Sequence, residues 1–99
     1  MKYKYRGISF EVKESDRKDS QKVAIFKDGT KIHFGDPDMK EYPGTSRGDN
    51  YCARSYGLGK KYNTLENIKN ANTLSRLILW NCKGKKSMKN KQQIGLIKL

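Results

Sequence analysis

A chain of 99 residues makes one domain, with room for a modest core but not for a core and a deep substrate pocket together. The formal net charge is +12, hydrophobic content is 34% and charged content 32%, a balance that leans toward partial disorder and polyanionic partners rather than a membrane. Three Phe, six Tyr and one Trp are the counterweight, because each buries a large area and together they sustain a small core.

The first third reads as β. Ile8, Phe10 and Val12 alternate with Ser9, Glu11 and Lys13, the period of a half-buried strand. A polar loop follows over 14–20. Val23, Ala24, Ile25 and Phe26 form a short apolar run. Asp28-Gly29 then separates it from Thr30-Lys31-Ile32-His33-Phe34, a strong hairpin signal. The expectation is an antiparallel meander of three strands, about 3–13, 21–27 and 30–35. It ends at Gly35-Asp36-Pro37-Asp38, where Pro37 stops the ladder.

From residue 46 the period changes. Thr45 or Ser46 suits an N-cap, Asp49 suits the first turn and Gly57 a C-terminal stop, so a helix is expected over 47–56. Residues 59–71 read as a linker. A second helix starts near Asn72 or Thr73, with Leu74, Leu77, Ile78 and Asn81 on one face, and stops at Lys83-Gly84. The fold class is therefore α+β: a three-stranded antiparallel meander with two short helices packed on one face. The domain covers 1–84, and 85–99 is a basic, flexible tail. Within that tail, 94–99 is apolar again and reads as a last strand or a docking segment.

Charge is unevenly divided. Residues 50–99 hold eleven Lys or Arg against one carboxylate, Glu66, for a net of +10; residues 1–49 hold eleven against nine, for +2. Lys60, Lys61 and Lys69 line the linker. Lys83, Lys85, Lys86, Lys89 and Lys91 run past the second helix beside Trp80. Lysines neutralise phosphates by counterion release, and aromatic faces stack on unpaired bases. These nine residues are the expected contact set for nucleic acid, DNA or RNA, or alternatively for an acidic viral or host protein. Arg54 and Arg76 lie among small and apolar residues on the helices. They are expected in structural ion pairs with Asp36 and Asp49.

Other chemistry is weaker. A zinc site from His33, Cys52, Cys82 and Asp36 lacks the short paired spacings such sites use, so no metal or cofactor is expected. Asp36, Asp38, Glu41 and Asp49, with Lys40 or His33, would serve a Mg²⁺-dependent nuclease, but their spacing matches no such pattern. Arg47-Gly48-Asp49 spells an adhesion tripeptide and reads here as a helix start. Cys52 and Cys82 stand thirty residues apart with no CxxC pair. They read as reduced thiols in a cytosolic chain, each a small buried hydrophobe on one helix, with a disulfide between them as the alternative. Neither a signal peptide nor a membrane span is expected.

The segments 32–36 (Ile-His-Phe-Gly-Asp), 42–57 (from Tyr-Pro-Gly-Thr to Ser-Tyr-Gly), 72–76 (Asn-Thr-Leu-Ser-Arg) and 82–87 (Cys-Lys-Gly-Lys-Lys-Ser) together resemble small basic proteins of tailed bacteriophages. More distantly they are similar to uncharacterised proteins of large DNA viruses. The resemblance spans roughly residues 30–88. It implies viral origin, a virion or genome-associated role, and residence in the virion or the host cytoplasm. It supplies no catalytic residues, and Ser55 replaces a histidine of the distant set. The expectation is a non-enzymatic phage protein that binds nucleic acid, with an interaction module second and a nuclease third.

Overall fold

The computed structural model describes residues 1–38, 40–89 and 95–99. Strand β1 (Lys2–Tyr5) turns back through Arg6 and Gly7, both at positive φ, 48° and 84°. That geometry suits a two-residue hairpin. Strand β2 (Ile8–Glu14) returns with Tyr3 opposite Phe10. The single strand expected over 3–13 is thus two, and Arg6, a residue type seldom found at positive φ, concealed the turn. Strand β3 (Lys22–Phe26) sets Ala24 opposite Val12. The Asp28-Gly29 turn leads to β4 (Lys31–Phe34), with the Asp28 carboxylate accepting from the Thr30 amide at 3.0 Å.

Helix α1 (Ser46–Lys61) starts where Thr45 Oγ1 accepts from the Gly48 amide at 3.2 Å. Asp49 in its first turn and Lys60 and Lys61 in its last complement the helix dipole. It runs through the stop expected at Gly57. Its second C-terminal glycine, Gly59, serves packing: a Cβ there would meet Leu65 Cδ2 at 2.5 Å. Helix α2 (Ala71–Leu74) is capped by Asn70 and widens into a π-helical turn, Ser75–Leu79, in which the Trp80 amide donates to the Ser75 carbonyl. Asn81, at φ 53°, takes the left-handed position expected of Gly84 and ends the helix early.

Strands β5 (Cys82–Lys83) and β6 (Lys86–Ser87) then form a separate hairpin. Strand β7 (Leu96–Lys98) pairs antiparallel with β1, Tyr3 opposite Lys98. The main sheet therefore has five antiparallel strands, ordered β4-β3-β2-β1-β7, not three. The tail expected over 85–99 carries β6 and β7 inside the fold.

The inward sheet face supplies Tyr5, Phe10, Val12, Ala24, Phe26 and Phe34 to the core, closed by Ile68 and Leu74 with Leu77, Ile78 and Leu79 at its edge. Each large side chain fully buried there contributes roughly 1.5–3 kcal/mol. A second cluster of Cys52, Trp80 and Cys82, with Tyr51, joins α1 to the small hairpin, and Leu79 touches both clusters. So α2 packs on the sheet, while α1 packs chiefly on the hairpin and on α2 rather than side by side with α2 on the sheet. Among the described residues no helix is long and apolar enough to cross a membrane.

Candidate nucleic-acid interface

Gly84 and Lys85 form the two-residue loop between β5 and β6. Gly84 has φ 59°, the positive value that a glycine-first hairpin turn needs. Cys82 and Ser87 pair across the strands and point inward, so Lys83 and Lys86 pair across them and point to solvent. Three lysines thus occupy four consecutive positions at an exposed tip. Like charges directly opposite each other on a ladder are destabilising. Lys60 and Lys61 end α1, exposed, and Lys89 follows β6, also exposed. None of these six takes part in an ion pair among the described residues.

Two devices hold the tip rigidly. The disulfide Cys52–Cys82 ties β5 to α1, with Cα atoms 5.5 Å apart, in place of the two thiols expected. Cys82 is also on a strand rather than a helix. The second device is Arg76, buried in the π-helical turn. Its guanidinium donates to the Cys52 carbonyl, Ser55 Oγ and the Gly84 carbonyl, each at 2.7 Å. One side chain thereby joins α2, α1 and the hairpin loop. Burial lowers its pKa, opposed by Tyr51 and Tyr56. Above this clamp the Tyr56 ring lies 5.7 Å from the Arg76 guanidinium and 5.8 Å from the Lys85 ammonium. Lys60 is one helical turn further along the same face of α1.

The other sequence-derived positions fall differently. Trp80 is buried, 3% exposed, and its ring stacks on Tyr51 with centroids 4.4 Å apart; it is core, not contact surface. Tyr51 donates to Ser75 Oγ at 2.9 Å, and burial raises its pKa. Lys69 is committed to Asp28 at 2.5 Å and sits over the Phe26 ring. Lys91 lies outside the described residues. The ion pairs expected between Arg54 or Arg76 and Asp36 or Asp49 are not among those formed by the described residues. Arg54 Nε reaches the Asn50 carbonyl at 3.4 Å, Asp36 accepts from the Asp38 amide, and Asp49 accepts from the Ser87 amide at 2.8 Å. Asp49 therefore braces β6 rather than neutralising an arginine. Tyr56, one of the aromatics interleaved with the basic positions in the sequence, stands at the tip where Trp80 does not, and Gly84 forms the hairpin turn rather than the helix stop expected of it; the Gly-Lys-Lys run after Cys82-Lys83 is the sequence signal for a basic hairpin tip.

His33 shares a 2.7 Å hydrogen bond with Ser15 Oγ on the sheet, and the two cysteines are bonded to each other, so the zinc set considered above is split. Asp36, Asp38 and Lys40 line a shallow depression with Tyr42 and Arg47, whose guanidinium covers the Tyr42 ring. Among the described residues no three His, Cys, Asp or Glu side chains converge as metal ligands would. No family model, curated protein or solved structure matches this chain.

Proposed function

We propose that this chain is a non-enzymatic, phage-encoded protein that binds nucleic acid through its small hairpin and associates with the genome in the virion. The observation that carries the reading is the hairpin tip. Lys83 faces Lys86 across the ladder, Lys85 stands beside them over Tyr56, and among the described residues no carboxylate pairs with any of the three. A fold that clamps like charges together with a disulfide and a buried arginine has built a site that a polyanion relieves. The disulfide favours the particle over the host cytoplasm, where thiols are kept reduced. Viral origin rests on the sequence resemblance.

The exposed Leu58 and Tyr62 at the end of α1 would serve the second reading, docking on an acidic virion or host protein. An electrophoretic shift assay separates the two. The wild type should retard duplex DNA or RNA at about 50 mM salt, and the triple variant K83A/K85A/K86A should need about tenfold or more protein to do so. No shift by the wild type, together with co-purification of a capsid or tail subunit, would transfer the tip to the second reading. Plasmid cut in Mg²⁺ and spared by Asp36→Ala would instead revive the nuclease.

A further inference from the structure

The sheet has a second face, and it is basic. Strand alternation sends the Tyr and Phe side chains of the sheet inward, leaving outward Lys2 and Lys4 on β1, Ser9, Glu11 and Lys13 on β2, Val23 and Ile25 on β3, Lys31 and His33 on β4 and Ile97 on β7; of these Val23 is buried, Ile25 and His33 half-buried and Ile97 exposed. Lys27 continues β3, and a groove beside it is lined by Lys2, Glu11, Ile25 and Leu99 together with the buried Phe10 and Phe26. Five lysines thus share this surface with one acid, Glu11, which is already within 3.5 Å of Lys13. Lys2, Lys4, Lys27 and Lys31 are exposed and form no ion pair among the described residues. The near-neutral count for the N-terminal half hides this surface, because its acids lie elsewhere: Asp28 on Lys69, Glu14 on Lys22, Asp36 and Asp38 in the loop before α1.

We infer that the outer sheet face is a second nucleic-acid site, for the phosphate backbone of another duplex segment, so that one molecule bridges two segments. This rests on the function proposed above. The face displays lysine and neither Tyr, Trp nor Arg. Protein interfaces are depleted in lysine and anchored by those three, so an acidic protein is the poorer fit. Base stacking needs exposed aromatic side chains, and Phe10 and Phe26 at the groove are only 4% and 3% exposed, so an unpaired strand is poorer too. A second copy is opposed by like charge. What remains is phosphate neutralisation by lysine. The two basic surfaces point apart. Helix α2 packs on the inward sheet face, the hairpin packs on α1 and on the π-helical turn, and the molecule measures 35 × 30 × 27 Å.

The test uses an immobilised duplex, the full chain, and a labelled second duplex. The wild type should retain the label. The variant K2Q/K4Q/K27Q/K31Q, first shown to melt like the wild type, should shift a single duplex within about threefold of wild-type affinity yet lose about tenfold or more of the retained label. Retention unchanged in that variant, the result if the face serves an acidic protein, overturns the inference and leaves the proposed function standing. A wild type that shifts one duplex but retains no label does the same. A wild type that shifts no duplex defeats the proposed function, and the bridging with it.

Discussion

Breaking the Cys52–Cys82 bond should be the largest single perturbation short of a core deletion. The bond closes a loop with a sequence separation of 30 residues. Cross-linking a loop of that size removes about 12 cal/mol/K of conformational entropy from the unfolded chain, or about 3.6 kcal/mol at 25 °C. Unfolding entropy is roughly 2.1 cal/mol/K per residue, so over this chain the loss lowers Tm by about 17 °C. The assay compares one sequence in two states by circular dichroism melting: oxidised protein, and protein reduced in denaturant, alkylated at neither position and refolded under reductant. Unfolding before reduction is needed because both cysteines are buried, Cys52 at 0% and Cys82 at 3% exposure. The double variant C52A/C82A should melt close to the reduced form. Two titratable thiols in the unfolded, never-reduced protein would refute the bond. A Tm difference of only a few degrees would refute the loop-closure reasoning.

Arg76 supplies another prediction. Arg76→Met removes the donors to the Gly84 carbonyl and Ser55 Oγ and one of those to the Cys52 carbonyl, which keeps the Ser55 hydroxyl, and should cost about 2–3 kcal/mol in urea unfolding. Arg76→Lys should not rescue, because an ammonium lacks the planar fork; a fully stable lysine variant would contradict the clamp. Lys86→Glu turns a like-charge pair into an opposite one. It should stabilise the fold by about 0.2–1 kcal/mol while weakening duplex binding, and a variant that loses both stability and binding would argue that Lys86 is structural. Asp28 gives a pH signature. The hydrogen bond from Lys69, then those from Thr30, hold its carboxyl well below the usual carboxylate range. A depressed pKa contributes stability that is complete above the unfolded-state value near 3.9 and is lost as pH falls below it. The melting difference between wild type and Asp28→Asn should therefore narrow below about pH 4, and a gap constant from pH 2 to 6 would exclude the pair.

What the sequence disclosed was local. The alternation of Ile8, Phe10 and Val12, the Asp28-Gly29 turn and the Thr45 cap each depend on neighbours within a few residues, and each appears in the fold. What it concealed was non-local or exceptional. The apolar run over 94–99 reads as a last strand, but nothing near Leu96 announces that its partner is Tyr5, ninety-one positions away. The Cys52–Cys82 bond likewise depends on α1 folding against the hairpin. Charge and aromatic patterning put Trp80 and Lys69 at the surface, but tertiary contacts with Tyr51 and with Asp28 claim them. The charge count was sound for the hairpin tip and misleading for the sheet. Net charge adds acids and bases wherever they lie, whereas a surface is set by which side chains share it.

The most direct measurement is the salt dependence of wild-type binding to a duplex. With Lys60, Lys61, Lys83, Lys85, Lys86 and Lys89 all engaged, log K should fall against log salt with a slope near −5, roughly −0.9 for each phosphate neutralised. In K83A/K85A/K86A the slope should shrink to about −3. Undetectable binding at low salt, or a slope unaltered by removal of the three tip lysines, would contradict a nucleic-acid role for this hairpin.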